Sequence, residues 1–181
     1  PTAGACGVLP AVLVPYFQKR CRNTDKILKA MYVAAGIGQI IATRSSISGA
    51  AGGCQAEIGS ASSMAAGALT YLQGGNCEQI ATAAAMAMKN LLGLVCDPVA
   101  GLVEVPCVKR NVIGTVNAMA CADMAMAGIV SRIPPDQVMD AMKEVGDKMD
   151  ASLRETALGG LARTEEGVKI AEKMHASQEN W

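Results

Sequence analysis

From Glu78 to Leu92 alanine and methionine fall on every side of a helical turn. A helix that is apolar all round has no wet face and folds only inside a shell of other helices. Val112 to Val130 is the longest apolar stretch, rich in Ala, Gly and Met and carrying Asn117 and Asp123. Aromatic residues make up 3% of the 181, against 19 glycines and 11 methionines. An interior of small residues lets helix backbones approach closely, with Met filling irregular gaps. Strand formers are scarce. The expected fold is all-α: a compact multi-helix domain over residues 1–181, with Gly/Pro-rich loops between the helices.

An Asp isolated in hydrocarbon is costly, so Val112–Val130 reads as a core helix and no membrane span is expected. Sixteen basic against 16 acidic side chains leave no net charge, which excludes the basic excess of a general nucleic-acid or anionic-membrane binder. With 51% apolar and 18% charged residues the chain lies far from the composition of disorder. Its seven cysteines are odd in number and follow no signal peptide, so a reducing, cytoplasmic compartment is expected. Pro1 stands inside a Gly/Pro-punctuated segment with no initiator Met, which reads as a piece of a longer protein lacking its upstream part.

The helices announce themselves by their ends. Asn23 or Thr24 caps a helix through Ile27, Met31, Ala34 and Ile41. Ser45–Gly53 is a loop of small residues that delivers Cys54 to the next helix, about Gln55 to Leu72, which stops at Gly74-Gly75. Asn76 caps Glu78–Leu92, with Gln79 placed to close a capping box. Pro106 suits the first turn of a helix that carries Cys107 and runs to Ile129. An amphipathic helix is expected from Asp136 to about Leu158, on the spacing of Val138, Met142, Val145 and Met149. Thr164 starts a short last helix, and His175 to Trp181 read as a frayed tail, which leaves the single histidine facing solvent.

Three cysteines stand out by position. Cys54, Cys96 and Cys107 each sit in or beside a Gly/Pro-interrupted loop next to a helix start, whereas Cys121 lies mid-helix among Ala and Met. Unpaired amides and the positive end of the dipole favour thiolates at helix starts. Three converging thiolates suit an iron–sulfur cluster or a zinc site. No Cys-x-x-Cys occurs, however, and on spacing alone a free cysteine is as readily a small buried hydrophobe.

The strings around these cysteines carry a resemblance. Gly53-Cys54-Gln55-Ala56-Glu57-Ile58-Gly59, Cys96-Asp97-Pro98-Val99-Ala100-Gly101 and Val105-Pro106-Cys107-Val108-Lys109-Arg110-Asn111 resemble the alpha chain of the iron–sulfur-dependent bacterial L-serine dehydratases. Pro1-Thr2-Ala3-Gly4-Ala5-Cys6-Gly7, Arg154-Glu155-Thr156 and Gly159-Gly160-Leu161-Ala162 extend the likeness over nearly the whole chain. The resemblance implies a 4Fe-4S cluster held by Cys54, Cys96 and Cys107, with one iron open to polarise a substrate hydroxyl. It implies elimination of water from L-serine to give pyruvate and ammonia, a step of amino-acid catabolism towards gluconeogenesis, without pyridoxal phosphate. It also implies a beta chain or domain as partner, and a base that lies outside this chain. Fused members cover the open iron with a cysteine tail, whereas this sequence ends Gln178-Glu179-Asn180-Trp181.

Around such a site Lys109 and Arg110 are candidate cations beside an anionic cluster, with a solvated pair of charges as the alternative. Thr2, Ala3 and Gly4, and Ser60, Ser62 and Ser63, are small-residue segments suited to a substrate carboxylate, or simply to capping. Asp97 suits the ligand loop, the substrate ammonium, or a turn before Pro98. Pocket residues decide the leaving group, so a related lyase such as a cysteine desulfidase stays open. A non-catalytic helical interaction subunit with redox-sensitive thiols stays open as well. Association with a beta chain or with a second copy is expected, since a partial chain exposes apolar surface.

Overall fold

The fold is described from a computed structural model covering residues 2–178, which contain eight α-helices and no strand. Helix α1 (Val8–Tyr16) runs on into a π-helical turn, Phe17–Cys21. Helix α2 (Thr24–Arg44) starts where the Asn23 side chain accepts from the Lys26 amide. A single turn, α3 (Gly49–Gly52), precedes Cys54, which opens a π-helical turn (Gln55–Gly59) that leads straight into α4 (Ser60–Leu72). Helix α5 (Cys77–Lys89) carries the capping box between Asn76 and Gln79. Helices α6 (Cys107–Met126), α7 (Pro135–Lys148) and α8 (Glu165–Gln178) complete the chain.

Helix α4 is the axis, packed against α5, α2, α6 and α1. Residues 60–70 are all buried, which its Ser, Ala and Gly side chains permit because they let four neighbours approach at once. Large side chains are few inside: Ile41, Ile58, Leu72, Met88 and Met142 are the main ones fully enclosed. Each contributes roughly 1.5–3 kcal/mol by leaving water, so the remaining cohesion comes from many close contacts between small residues.

The sequence reading needs correction in four places. Val112–Val130 is not enclosed: α6 buries Gly114, Ala118, Cys121, Ala122 and Ala125, while Val108, Val112, Ile113, Val116 and Met119 form an exposed apolar stripe on its other side. No helix is nevertheless long and apolar enough to cross a membrane among the described residues. Pro106 stands just before α6 and not within its first turn. Helix α7 stops at Lys148, ten residues short of Leu158, because Met149 turns extended and the Asp150 carboxylate accepts from the Ser152 amide, starting a separate 3-10 turn. His175 lies inside α8, which continues to Gln178; Glu179, Asn180 and Trp181 lie outside the described residues.

The freed segment after α7 matters for function. It folds back along the Cys96 loop, where the Cys96 amide donates to the Leu153 carbonyl and the Glu155 amide donates to the Cys96 carbonyl. Gly160 (φ +58°) then passes so close to Asp97 that a Cβ there would overlap its side chain.

Candidate metal centre

Four short pieces of backbone converge on the buried cysteines. The π-helical turn after α3 supplies Cys54 and, one turn on, Glu57; the loop after α5 supplies Cys96; the start of α6 supplies Cys107 and Arg110. The 3-10 turn Ala3–Ala5 closes the fourth side. The Sγ atoms of Cys54 and Cys96 and a carboxylate oxygen of Glu57 lie within 4.8 Å of one another, all three residues buried. Cys107 flanks the same space: a Cβ built on Gly4 would stand 3.2 Å from Glu57 Oε2 and 3.8 Å from Cys107 Cβ. A Cβ on Gly49 would meet Cys96 Sγ at 2.9 Å. Both glycines therefore keep side chains out of the space between the thiols.

Where the two sulfurs meet, each shifts the other. The hydrogen bond from Cys96, reinforced by the Arg110 guanidinium, holds the Cys54 thiol below the usual range against the opposing effect of burial. Cys96 keeps the proton and is pushed far up by that contact and by burial. Burial, with negative charge at Cys54, raises Cys107 to about 11. A metal replaces such protons and takes the sulfurs as thiolates, so this donor set of three thiols suits a thiophilic metal or cluster.

Arg110 and Lys109, equal candidates in the sequence, part company here. Arg110 turns inward, with Nη2 2.8 Å from Asp97 Oδ1 and Nη1 donating to the Val95 carbonyl at 2.8 Å, and faces the Cys54 sulfur. Lys109 is exposed and takes no part in the network. Neighbours on a helix point about 100° apart, which suffices to separate them. Asp97 spends its second oxygen on the Leu161 amide at 2.8 Å, so its carboxylate ties the C-terminal segment to the cysteine loop instead of waiting for an ammonium.

The candidate substrate groups divide in the same way. Thr2 lies at the site, its hydroxyl 2.5 Å from the Ile47 carbonyl and 3.4 Å from Glu57 Oε1. Ala3 and Gly4 form the adjoining turn, and the Gly4 carbonyl accepts from the Asn111 side chain. Ser62 and Ser63 are instead taken up in helix packing, their hydroxyls donating to the Gly114 and Ala84 carbonyls at 2.8 and 2.7 Å. Ser60 is fully buried on α4, and its hydroxyl has no hydrogen-bond partner among the described residues.

The sequence profile described as serine dehydratase alpha chain matches residues 1–162. The chain belongs to this family. Relatives of this serine dehydratase alpha-chain sequence include a probable L-serine dehydratase alpha chain of Bacillus subtilis, 54% identical over 96% of this chain and 58% of that protein. A protein of the same description from Latilactobacillus sakei is also 54% identical, over 94% of this chain and 81% of that one. An L-serine dehydratase of Streptomyces coelicolor is 46% identical over 90% of this chain, which spans 36% of it. The chain thus spans about three fifths of the Bacillus subtilis alpha chain and about a third of the Streptomyces coelicolor enzyme.

Arg110 and Asp97 were among the candidates in the sequence, but Glu57 was not, although one signal pointed to it. Glu57 is the only charged residue between Arg44 and Glu78. A lone charge inside a long uncharged, buried stretch marks a group held there for a reason.

Proposed function

We propose that this chain is the cluster-binding catalytic part of an L-serine dehydratase, with Cys54, Cys96 and Cys107 holding a 4Fe-4S cluster. The observation that carries this reading is that the sulfurs of Cys54 and Cys96 meet in one buried space, with Cys107 at its edge and Gly4 and Gly49 lining it, in a chain of this family. When bound, such a cluster supplies a Lewis-acidic iron that polarises the leaving hydroxyl of serine.

The chain's own residues prepare the surroundings. Arg110, anchored by Asp97, favours negative charge on Cys54 and so on whatever the sulfur binds. Thr2, Ala3 and Gly4 form the wall against which the substrate carboxylate is held. The Cys96 loop and the segment 153–161 are fastened together by backbone hydrogen bonds and by Asp97, which excludes water from the sulfurs. Removal of the Cα proton falls to a base contributed from elsewhere; the single histidine, His175, is exposed on α8, where it lines a groove with Gly101, Arg163 and Glu172. Loss of water from serine leaves an aminoacrylate, which hydrolyses to pyruvate and ammonia.

The apolar stripe on α6, Val108 to Met119, begins at the cysteine-bearing end of the helix and is the surface on which a beta chain would complete the site. The complex belongs in a reducing compartment such as the cytoplasm, where these thiols stay unpaired. The test is enzymatic. After anaerobic reconstitution with iron and sulfide and addition of the beta chain, the wild type releases pyruvate from L-serine and Cys96→Ser does not. Pyruvate release by Cys96→Ser at the wild-type rate would contradict the reading.

A further inference from the structure

Glu57 is 5% exposed, yet it forms no ion pair among the described residues, and Arg110, the cation that faces Cys54, is engaged with Asp97. Its recorded side-chain partner is the Thr2 hydroxyl, at a long 3.4 Å on Oε1, helped by the Gly49 amide. A buried carboxylate without a cation or a full set of hydrogen bonds is costly, unless it coordinates a metal. Glu57 lies on the π-helical turn that Cys54 opens, three residues further along the chain. Its oxygen lies within 4.8 Å of two thiol sulfurs.

We propose that Glu57 is a fourth protein ligand of the centre, its carboxylate occupying the iron that three cysteines leave open in the substrate-free protein. This rests on the cluster reading above. The charge balance favours it: three thiolates leave a 4Fe-4S cluster in its usual state with about one net negative charge, and the carboxylate brings it to about two, the value of a four-thiolate cluster. A carboxylate is also a weaker, harder ligand than a thiolate and can yield its place to a substrate oxygen.

The test uses the chain reconstituted anaerobically in the presence of its beta chain, as wild type, Glu57→Gln and Glu155→Gln. Glu155 is the exposed acid whose charge reaches Glu57, and it serves as the control. Iron and sulfide counts establish loading. The rate of conversion to the three-iron form on mild oxidation is then followed by its paramagnetic resonance signal. Glu57→Gln is expected to lose the fourth iron about 10- to 100-fold faster than wild type, in line with the loss of a metal-binding group. Glu155→Gln is expected to match wild type.

In wild-type protein carrying 13C-labelled glutamate, infrared difference spectra should show a carboxylate stretch that shifts when the fourth iron leaves and returns when it is restored. This reading decides the matter alone if Glu57→Gln does not fold or load. Equal loss rates in Glu57→Gln and wild type, or no carboxylate shift in loaded wild type, would overturn the proposal and leave the three-cysteine cluster standing. Failure of the wild type itself to take up four irons would overturn both.

Discussion

Helix α6 carries two buried cysteines, Cys107 at its start and Cys121 almost four turns on, and burial pushes both thiols up to about 11. By burial and acidity they are twins. They differ in what surrounds them. Cys107 lies across Gly4 from Glu57, with the Cys54–Cys96 pair and the Arg110–Asp97 ion pair nearby, most of these groups delivered by loops and single turns. Cys121 sits among alanines of α4 and α5, and its sulfur lies 3.5 and 3.6 Å from the amide groups of Asn90 and Asn117. What separates the proposed metal ligand from the core cysteine is the convergence of other donors, and neither the thiol's acidity nor its burial.

Each end of α6 can be broken separately. At the ligand end, Arg110→Met strands the Asp97 carboxylate, which is 3% exposed and then keeps only the Leu161 amide. Breaking a buried pair from one side costs about 3 kcal/mol, read as a lower urea midpoint of the metal-free chain; an unchanged midpoint would mean that this network does not fasten the site.

At the core end, Asn117→Ala removes donors to Ser62 Oγ at 2.9 Å and to the Ala87 carbonyl at 2.8 Å, leaving buried acceptors behind. A loss of about 2 kcal/mol is expected in the same measurement, with cluster content unaltered. Between the two ends, Gly114→Ala gains about 1 kcal/mol of helix propensity. The new methyl, however, meets Ile58 Cγ2 at 2.8 Å and Val8 Cγ2 at 3.2 Å, both on stiff, buried side chains. Overpacking of this kind costs about 2 kcal/mol, so a net loss of about 1 kcal/mol is expected, and a gain would show that α6 can shift away from the turn before α4.

The smallest effect is kinetic. In the metal-free native chain Cys107 should react with a thiol reagent through local opening of the loops around it, while Cys121 should react only on global unfolding. Mass spectrometry of the labelled peptides reads the order, and equal rates would remove the distinction between the two ends.

How far the sequence reaches follows from the same contrast. Local signals held where local chemistry decides: Asn23 and Asn76 cap the helices they were expected to cap, and Gly74 (φ +93°) follows the end of α4. They failed where a distant contact decides. Periodicity carried α7 on to Leu158, but Gly146 packs against Gly52, and beyond Asp150 the chain is drawn onto Cys96 instead. Composition made Val112–Val130 read as a core helix, because an exposed apolar face has the same residues as one facing a core. Arg110 could not be told from Lys109 without Asp97 to choose between them. Glu57 was legible as a lone charge, though its place beside two sulfurs was not.

The central claim is that Cys54, Cys96 and Cys107 act on one shared centre while Cys121 does not. Iron and acid-labile sulfide counting after anaerobic reconstitution, on wild type and on Cys54→Ser, Cys96→Ser, Cys107→Ser and Cys121→Ser, tests it most directly. Near four irons and four sulfides per chain are predicted for wild type and Cys121→Ser, with loss of the intact cluster in each of the other three. Full loading of any of those three, or loss in Cys121→Ser alone, would contradict it.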